Sequence, residues 1–264
     1  MSELHDVTTG PLESVLRAQR EAGRKALVPY ITGGLEGWQP AIRAAAANGA
    51  TAIEIGIPFS DPVMDGPVIQ EASLRALQSG ATPVSILEEI PHLDVGIPLG
   101  VMLYYNTVFR FGHERFAELL VRAGIAAAIV PDLPLEESGD WCAAADAAGV
   151  DTVMLAAPTA SDDRLERVCA RARGFVYSVG LLGVTGERDA LAATATALAA
   201  RLKALTDVPV LVGVGVSNAE QARQAVRVAD GVVQGASVVR RLMEQGPDAV
   251  GSYVAEVREA IDAA

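Results

Sequence analysis

Three carboxylates crowd one stretch of the chain. Thr51 to Gln70 reads T-A-I-E-I-G-I-P-F-S-D-P-V-M-D-G-P-V-I-Q, with Glu54, Asp61 and Asp65 set among prolines. Ala52 to Ile57 is short, rich in isoleucine and stopped by Pro58, the pattern of a buried strand. A period of two puts Ile53, Ile55 and Ile57 on one face and Ala52, Glu54 and Gly56 on the other. Glu54 then points into an apolar or small-residue interior, where a bare carboxylate is costly. It must find partners there or hold its proton. The segment after it, with Pro58, Pro62, Gly66 and Pro67, is a stiff loop able to bring a second carboxylate back over the strand end. Two carboxylates in two environments supply an acid and a base. The plainer alternative is an ion-paired or amide-bound Glu54, with Asp61 and Asp65 serving as turn residues.

A second group could hold an anion. L-V-G-V-G-V-S carries Gly213 and Gly215, and V-V-Q-G-A-S carries Gly235, Ala236 and Ser237, each sequence closing an apolar run and opening a helix. Glycine permits close backbone approach, and first-turn amides point at whatever lies beyond the helix start. A third candidate, Gly180 to Arg188, includes Thr185 and Gly186 and has the glycine content of a loop that could close over a substrate.

These residues need a frame. Pro11 to Ala22 carries Leu12, Val15 and Leu16 at helical spacing. Strands are then predicted at Ala26 to Thr32, Ala52 to Ile57, Leu99 to Tyr105, Ala126 to Val130, Thr152 to Ala156, Phe175 to Val179, Val208 to Val212 and Gly231 to Gln234. Helices separate them, and a final pair follows the last strand. Short apolar strands alternating with helices indicate a parallel sheet covered by helices, and eight such units favour closure. The predicted fold is α/β, a (β/α)8 TIM barrel with an extra N-terminal helix and a short extra helix after strand 8, in one domain over residues 1–264. Such barrels carry function at the carboxyl ends of their strands. Glu54, Asp65, Tyr104, Asp132, Tyr177, Thr185 and the glycines above all fall there. The loops after strands seven and eight are also where barrels commonly hold phosphate.

Composition narrows the classes. With 33 acidic and 21 basic residues the net charge is −12, which disfavours a nucleic-acid or anionic-membrane surface. Cys142 and Cys169 are isolated and without metal-ligand spacing, and no secretory signal or membrane-length apolar run is visible, so a cytoplasmic setting is expected. His5, His92 and His113 lie away from strand ends and read as surface residues.

The stretch Ile53 to Gln70, I-E-I-G-I-P-F-S-D-P-V-M-D-G-P-V-I-Q, closely resembles the signature of the tryptophan synthase alpha-subunit family. M-L-Y-Y-N at Met102 to Asn106, V-P-D-L-P at Val130 to Pro134, A-P-T at Ala157 to Thr159 and G-V-T-G at Gly183 to Gly186 support the resemblance, which runs from about Lys25 to Met243. It implies a lyase that cleaves indole-3-glycerol phosphate without a cofactor of its own. Glu54 would be the general acid and base, Asp65 the acid near the indole nitrogen, Tyr177 an active-site tyrosine and Tyr104 a residue lining the indole pocket. Thr185, Gly186, Gly213, Gly215, Gly235, Ala236 and Ser237 would contact substrate. The resemblance also implies a partner, a beta subunit carrying pyridoxal phosphate, in an alpha2-beta2 tetramer. Pro58 to Pro67 and Pro131 to Pro134 would form much of the contact. The chain departs from the common pattern at Gly34, Leu35 and Glu36, at Leu181 where some members carry Arg, and at Ala236 where a serine often follows the phosphate glycine. Backbone amide donors survive the last change. Three rival readings remain: a free-standing indole-glycerol-phosphate lyase, a catalytically weak activator of the beta subunit, and another phosphate-binding barrel such as a sugar-phosphate isomerase.

Overall fold

A computed structural model describes residues 9–180, 188–213 and 215–264. The expectations placed on His5, Leu181, Thr185 and Gly186 lie outside them. The chain opens with α1 (Pro11–Glu21), its first turn set by proline, and enters β1 (Ala26–Thr32). Then follow α2 (Trp38–Ala47), β2 (Ile53–Gly56), α3 (Pro67–Gln78), α4 (Pro83–Glu89) and β3 (Leu99–Met102). The next elements are α5 (Tyr105–Phe111), α6 (His113–Arg122), β4 (Ile125–Ile129), α7 (Gly139–Ala148), β5 (Asp151–Ala156), α8 (Asp162–Arg171) and β6 (Val176–Ser178). The chain ends with α9 (Arg188–Leu205), β7 (Val210–Val212), α10 (Ala219–Ala225), β8 (Gly231–Gln234), α11 (Ala236–Gln245) and α12 (Pro247–Asp262).

The strands pair in sequence order, all parallel, and β8 closes on β1. This is the expected barrel. Period two sorts its side chains into two cores. Ile31, Ile53, Ile55, Val101 and Val212 face outward and pack under the helices with Ile42, Phe116 and Trp141. Ala26, Val28, Ala52, Ala127, Ile129, Val153, Phe175, Leu211 and Val233 fill the interior.

Leu12 and Leu16 of α1 belong to the interior core, so the extra N-terminal helix closes the amino end of the barrel. Asp151, at the start of β5, accepts hydrogen bonds from the Leu12 and Glu13 amides, both at 3.0 Å. Glu13 in turn accepts the Gly174 amide at 3.2 Å. Burial pushes the Asp151 carboxyl up to about 6 against the lowering effect of those amides.

Barrel closure depends on one close approach. At the β1–β8 seam Ala26 is paired with Gly231, and a Cβ at 231 would lie 2.4 Å from the Ala26 carbonyl oxygen. That neighbour is backbone and cannot swing away. Gly231→Ala is expected to lower stability by about 3 kcal/mol, read as a fall in the urea midpoint with an unchanged slope.

The third strand is shorter than its sequence suggests. Leu103 still donates to Ile129, but the Tyr105 amide turns to the Asp132 carboxylate at 2.8 Å and begins α5. Tyr104 to Asn106 therefore make a strand-to-helix corner, not the end of a strand. His113, expected at the surface, is half-buried, and its ring Nε2 lies 2.9 Å from the Tyr105 hydroxyl. His92 is exposed as expected.

Candidate active site

Glu54 is 2 % exposed, and neither carboxyl oxygen has a hydrogen-bond partner among the described residues. Its neighbours on the inner face of β2 are Ala52 and Gly56, which offer no charge. Burial first, and the nearby Asp65 second, push its carboxyl up to about 8. At neutral pH Glu54 therefore carries a proton it can give, and it becomes a base once the proton has gone.

Asp65 is brought over the barrel mouth by the loop between β2 and α3. Its Oδ2 accepts the Tyr104 hydroxyl at 3.0 Å, and that hydroxyl accepts the Met64 amide at 2.9 Å. The Tyr104 ring stacks on Phe59, with centroids 4.9 Å apart and planes at 19°. Loop and corner thus hold each other. Burial raises the Asp65 carboxyl while the Tyr104 hydrogen bond opposes the rise. Asp61 takes no part, since its carboxylate accepts the adjacent Ser60 hydroxyl in an exposed position.

Tyr177 reaches the mouth from β6, with its ring 5.6 Å from that of Phe175. Burial holds its hydroxyl far above the ordinary phenol range, with Glu54 the leading nearby charge. Beside it opens an apolar cavity of about 120 Å³ lined by Met64, Met102, Ile129, Pro131, Leu155 and Val179. Its lining is apolar and suits a flat aromatic group beside Tyr177.

The glycine groups come together on the adjoining side of the mouth. Gly213 directly follows β7, Gly215 comes next but one with a left-handed φ of 87°, and Gly235 caps α11. A Cβ at 213 would fall 2.3 Å from the Tyr177 hydroxyl. Ala236 and Ser237 occupy the first turn of α11, where amides have no acceptor within the helix. The Ser237 hydroxyl is engaged elsewhere: it accepts from Tyr253 at 3.3 Å, and Tyr253 accepts from Gln234 at 2.9 Å. Arg241 lies 3.7 Å over the Tyr253 ring and donates to the Ser237 carbonyl at 2.9 Å. These side chains brace the helix start and leave the amides to meet an anion.

A family model described as "Tryptophan synthase alpha chain" matches residues 16–262. The chain belongs to the tryptophan synthase alpha-chain family. The alpha chain of Streptomyces coelicolor is 43 % identical over 249 residues, covering 91 % of this chain and 90 % of the relative. That of Thermobifida fusca is 42 % identical over 255 residues, 94 % of each. Among solved structures, the alpha subunit from Legionella pneumophila aligns with a TM-score of 0.87 at 30 % identity, over 97 % of this chain and all of that one. A tryptophan synthase chain from Mycobacterium tuberculosis aligns at 0.87 and 35 % identity, over 96 % and 98 %.

Several residues of the mouth escape a reading based on motifs. Tyr30, Phe59 and Tyr253 are ordinary core types, while Gln234 is a buried polar residue at the end of an apolar strand, inside the V-V-Q-G-A-S stretch whose glycine drew the reading instead. Tyr30 also leaves a signal: in β1 it shares the inward parity of Ala26 and Val28 at the carboxyl end of the strand.

Proposed function

We propose that the chain, as the alpha chain of tryptophan synthase, cleaves indole-3-glycerol phosphate to indole and glyceraldehyde 3-phosphate. The observation that carries this reading is a carboxyl, Glu54, kept protonated inside the barrel mouth beside a second carboxyl and an apolar cavity. Glu54 gives its proton to indole C3, which converts the ring to an indoleninium cation. Asp65 stabilises the positive N–H. Glu54, now a carboxylate, accepts the proton of the glycerol hydroxyl next to the ring. The carbon–carbon bond then breaks, its electrons restore the indole, and the aldehyde departs with its phosphate. Tyr177 and Tyr104 orient the ring, and the amides around Gly213, Gly215, Gly235, Ala236 and Ser237, joined by Thr185 and Gly186, hold the phosphate. The step balances without a cofactor on this chain.

Exposed Val63, on the loop between β2 and α3, and Phe109, in α5 just after β3, are 79 % and 67 % accessible. Apolar side chains there favour a partner over a free-standing lyase, and we assign that partner as the beta subunit, bearing pyridoxal phosphate, in an alpha2-beta2 complex. Among the described residues no helix is long and apolar enough to cross a membrane. We assign the cytoplasm as the site of action, where cysteines that are free and buried stay reduced. The test is indole release from indole-3-glycerol phosphate by the purified chain, alone and with beta subunit. The expected result is slow release alone and at least tenfold faster release in the complex. Equal rates would favour the free-standing lyase, and no release in either case would overturn the reaction.

A further inference from the structure

Tyr30 and Glu54 are register partners on adjacent strands, and both face inward. The Tyr30 side chain leans across β2: a Cβ built on Gly56 would fall 1.8 Å from the Tyr30 hydroxyl oxygen. Gly56 lies two residues beyond Glu54, on the same face and one step, about 6.6 Å, nearer the mouth. The hydroxyl thus occupies the place of the next side chain along the row, between Glu54 and the open end. Tyr177 does the same on the β6–β7 side, where its hydroxyl lies over Gly213 while the Glu54 charge is still felt there.

Resting on the reaction proposed above, we propose that Tyr30 is a positioning residue for Glu54: its hydroxyl, seated in the notch over Gly56, donates a hydrogen bond to the Glu54 carboxylate once the proton has left for the substrate. The protonated form, without a partner, is the resting state. The carboxylate that follows needs a donor. The titratable groups felt across this space are Tyr30 from β1, Asp65 from the loop after β2, Tyr104 from the corner after β3 and Tyr177 from β6, and the Thr32 side chain lies against the Tyr30 hydroxyl. Asp65 repels a carboxylate, the Tyr104 hydroxyl already donates to Asp65, the Thr32 side chain is turned to Tyr30, and the Tyr177 hydroxyl is seated over Gly213. The donor that remains is Tyr30. Its hydroxyl keeps its own proton, since burial raises it far above the phenol range.

The experiment compares wild type, Tyr30→Phe and Gly56→Ala, the last of which keeps the hydroxyl but fills its notch. Glu54 is titrated directly by carbon NMR of carboxyl-labelled glutamate, assigned with Glu54→Gln. A hydrogen bond to the charged form lowers a carboxyl pKa, so each variant is expected to move the Glu54 midpoint upward by about one unit. In turnover, kcat falls about tenfold with little change in KM, and the alkaline limb of the kcat/KM profile moves up with the titration. A purely structural role for Tyr30 would leave the midpoint in place, and that outcome, or a downward move, overturns the proposal. A wild-type chain that releases no indole removes the reaction but leaves the titration to decide Tyr30.

Discussion

Glu54→Gln is expected to lower indole release by about a thousandfold while substrate affinity stays within a few-fold of wild type. The substitution keeps shape and size but removes the proton donor and the base that succeeds it. Single-turnover cleavage and calorimetric binding separate the two effects, and turnover near the wild-type rate would take Glu54 out of the chemistry. The same variant carries an opposite effect on stability. The folded carboxyl titrates at about 8 against 4.5 for an ordinary glutamate, so between those values the unfolded chain releases a proton that the folded chain retains. Rising pH therefore favours unfolding, by about 1.4 kcal/mol per pH unit across that window. Glu54→Gln lacks this loss. Its stability relative to wild type should climb from pH 5 to pH 8 and level off above, a profile measured by urea unfolding at each pH.

Asp65→Asn is expected to lower kcat by about a hundredfold and to leave the fold in place. An asparagine oxygen can still accept the Tyr104 hydroxyl, so the link from loop to Tyr104 and on to the Met64 amide persists. What disappears is the negative charge that offsets the indole cation. The charge also acts on Glu54, whose pKa it helps to raise. Removing it should shift the alkaline limb of the kcat/KM profile toward acid, the reverse of the Tyr30→Phe shift. An Asp65→Asn chain that lost stability but kept its kcat would make Asp65 a brace for the loop.

How far this site could be read in advance differs residue by residue. Glu54 was legible because its parity, opposite to Ile53, Ile55 and Ile57, is a property of one short segment. β1 and β8 were legible to the residue because a charge, Lys25 or Asp230, precedes each and a glycine, Gly33 or Gly235, stops it locally. The corner at Tyr104 was not, because Leu99 to Tyr105 reads as a continuous apolar strand. The group that ends it, Asp132, arrives from the next strand–helix loop. Tyr30 illustrates the limit more sharply. Within its own strand it is an aromatic among aliphatics, and its place beside Glu54 follows from the missing Cβ of Gly56 on the neighbouring strand. Such a relation exists only after the strands have paired. The role of Ser237 was masked in a similar way by Tyr253, sixteen residues later in the chain.

The helix under the barrel has a consequence for traffic. With Leu12 and Leu16 seated in the interior and Asp151 gripping the first turn of α1, the barrel is a cup and not a tube. Whatever is made beside Glu54 must leave across the same rim by which the substrate came in. Entry and exit are then mutually exclusive events, and a protein resting on the rim at Val63 and Phe109 commands both. Such a partner needs no contact with Glu54 to govern the rate, because covering the rim sets how long the cup stays filled.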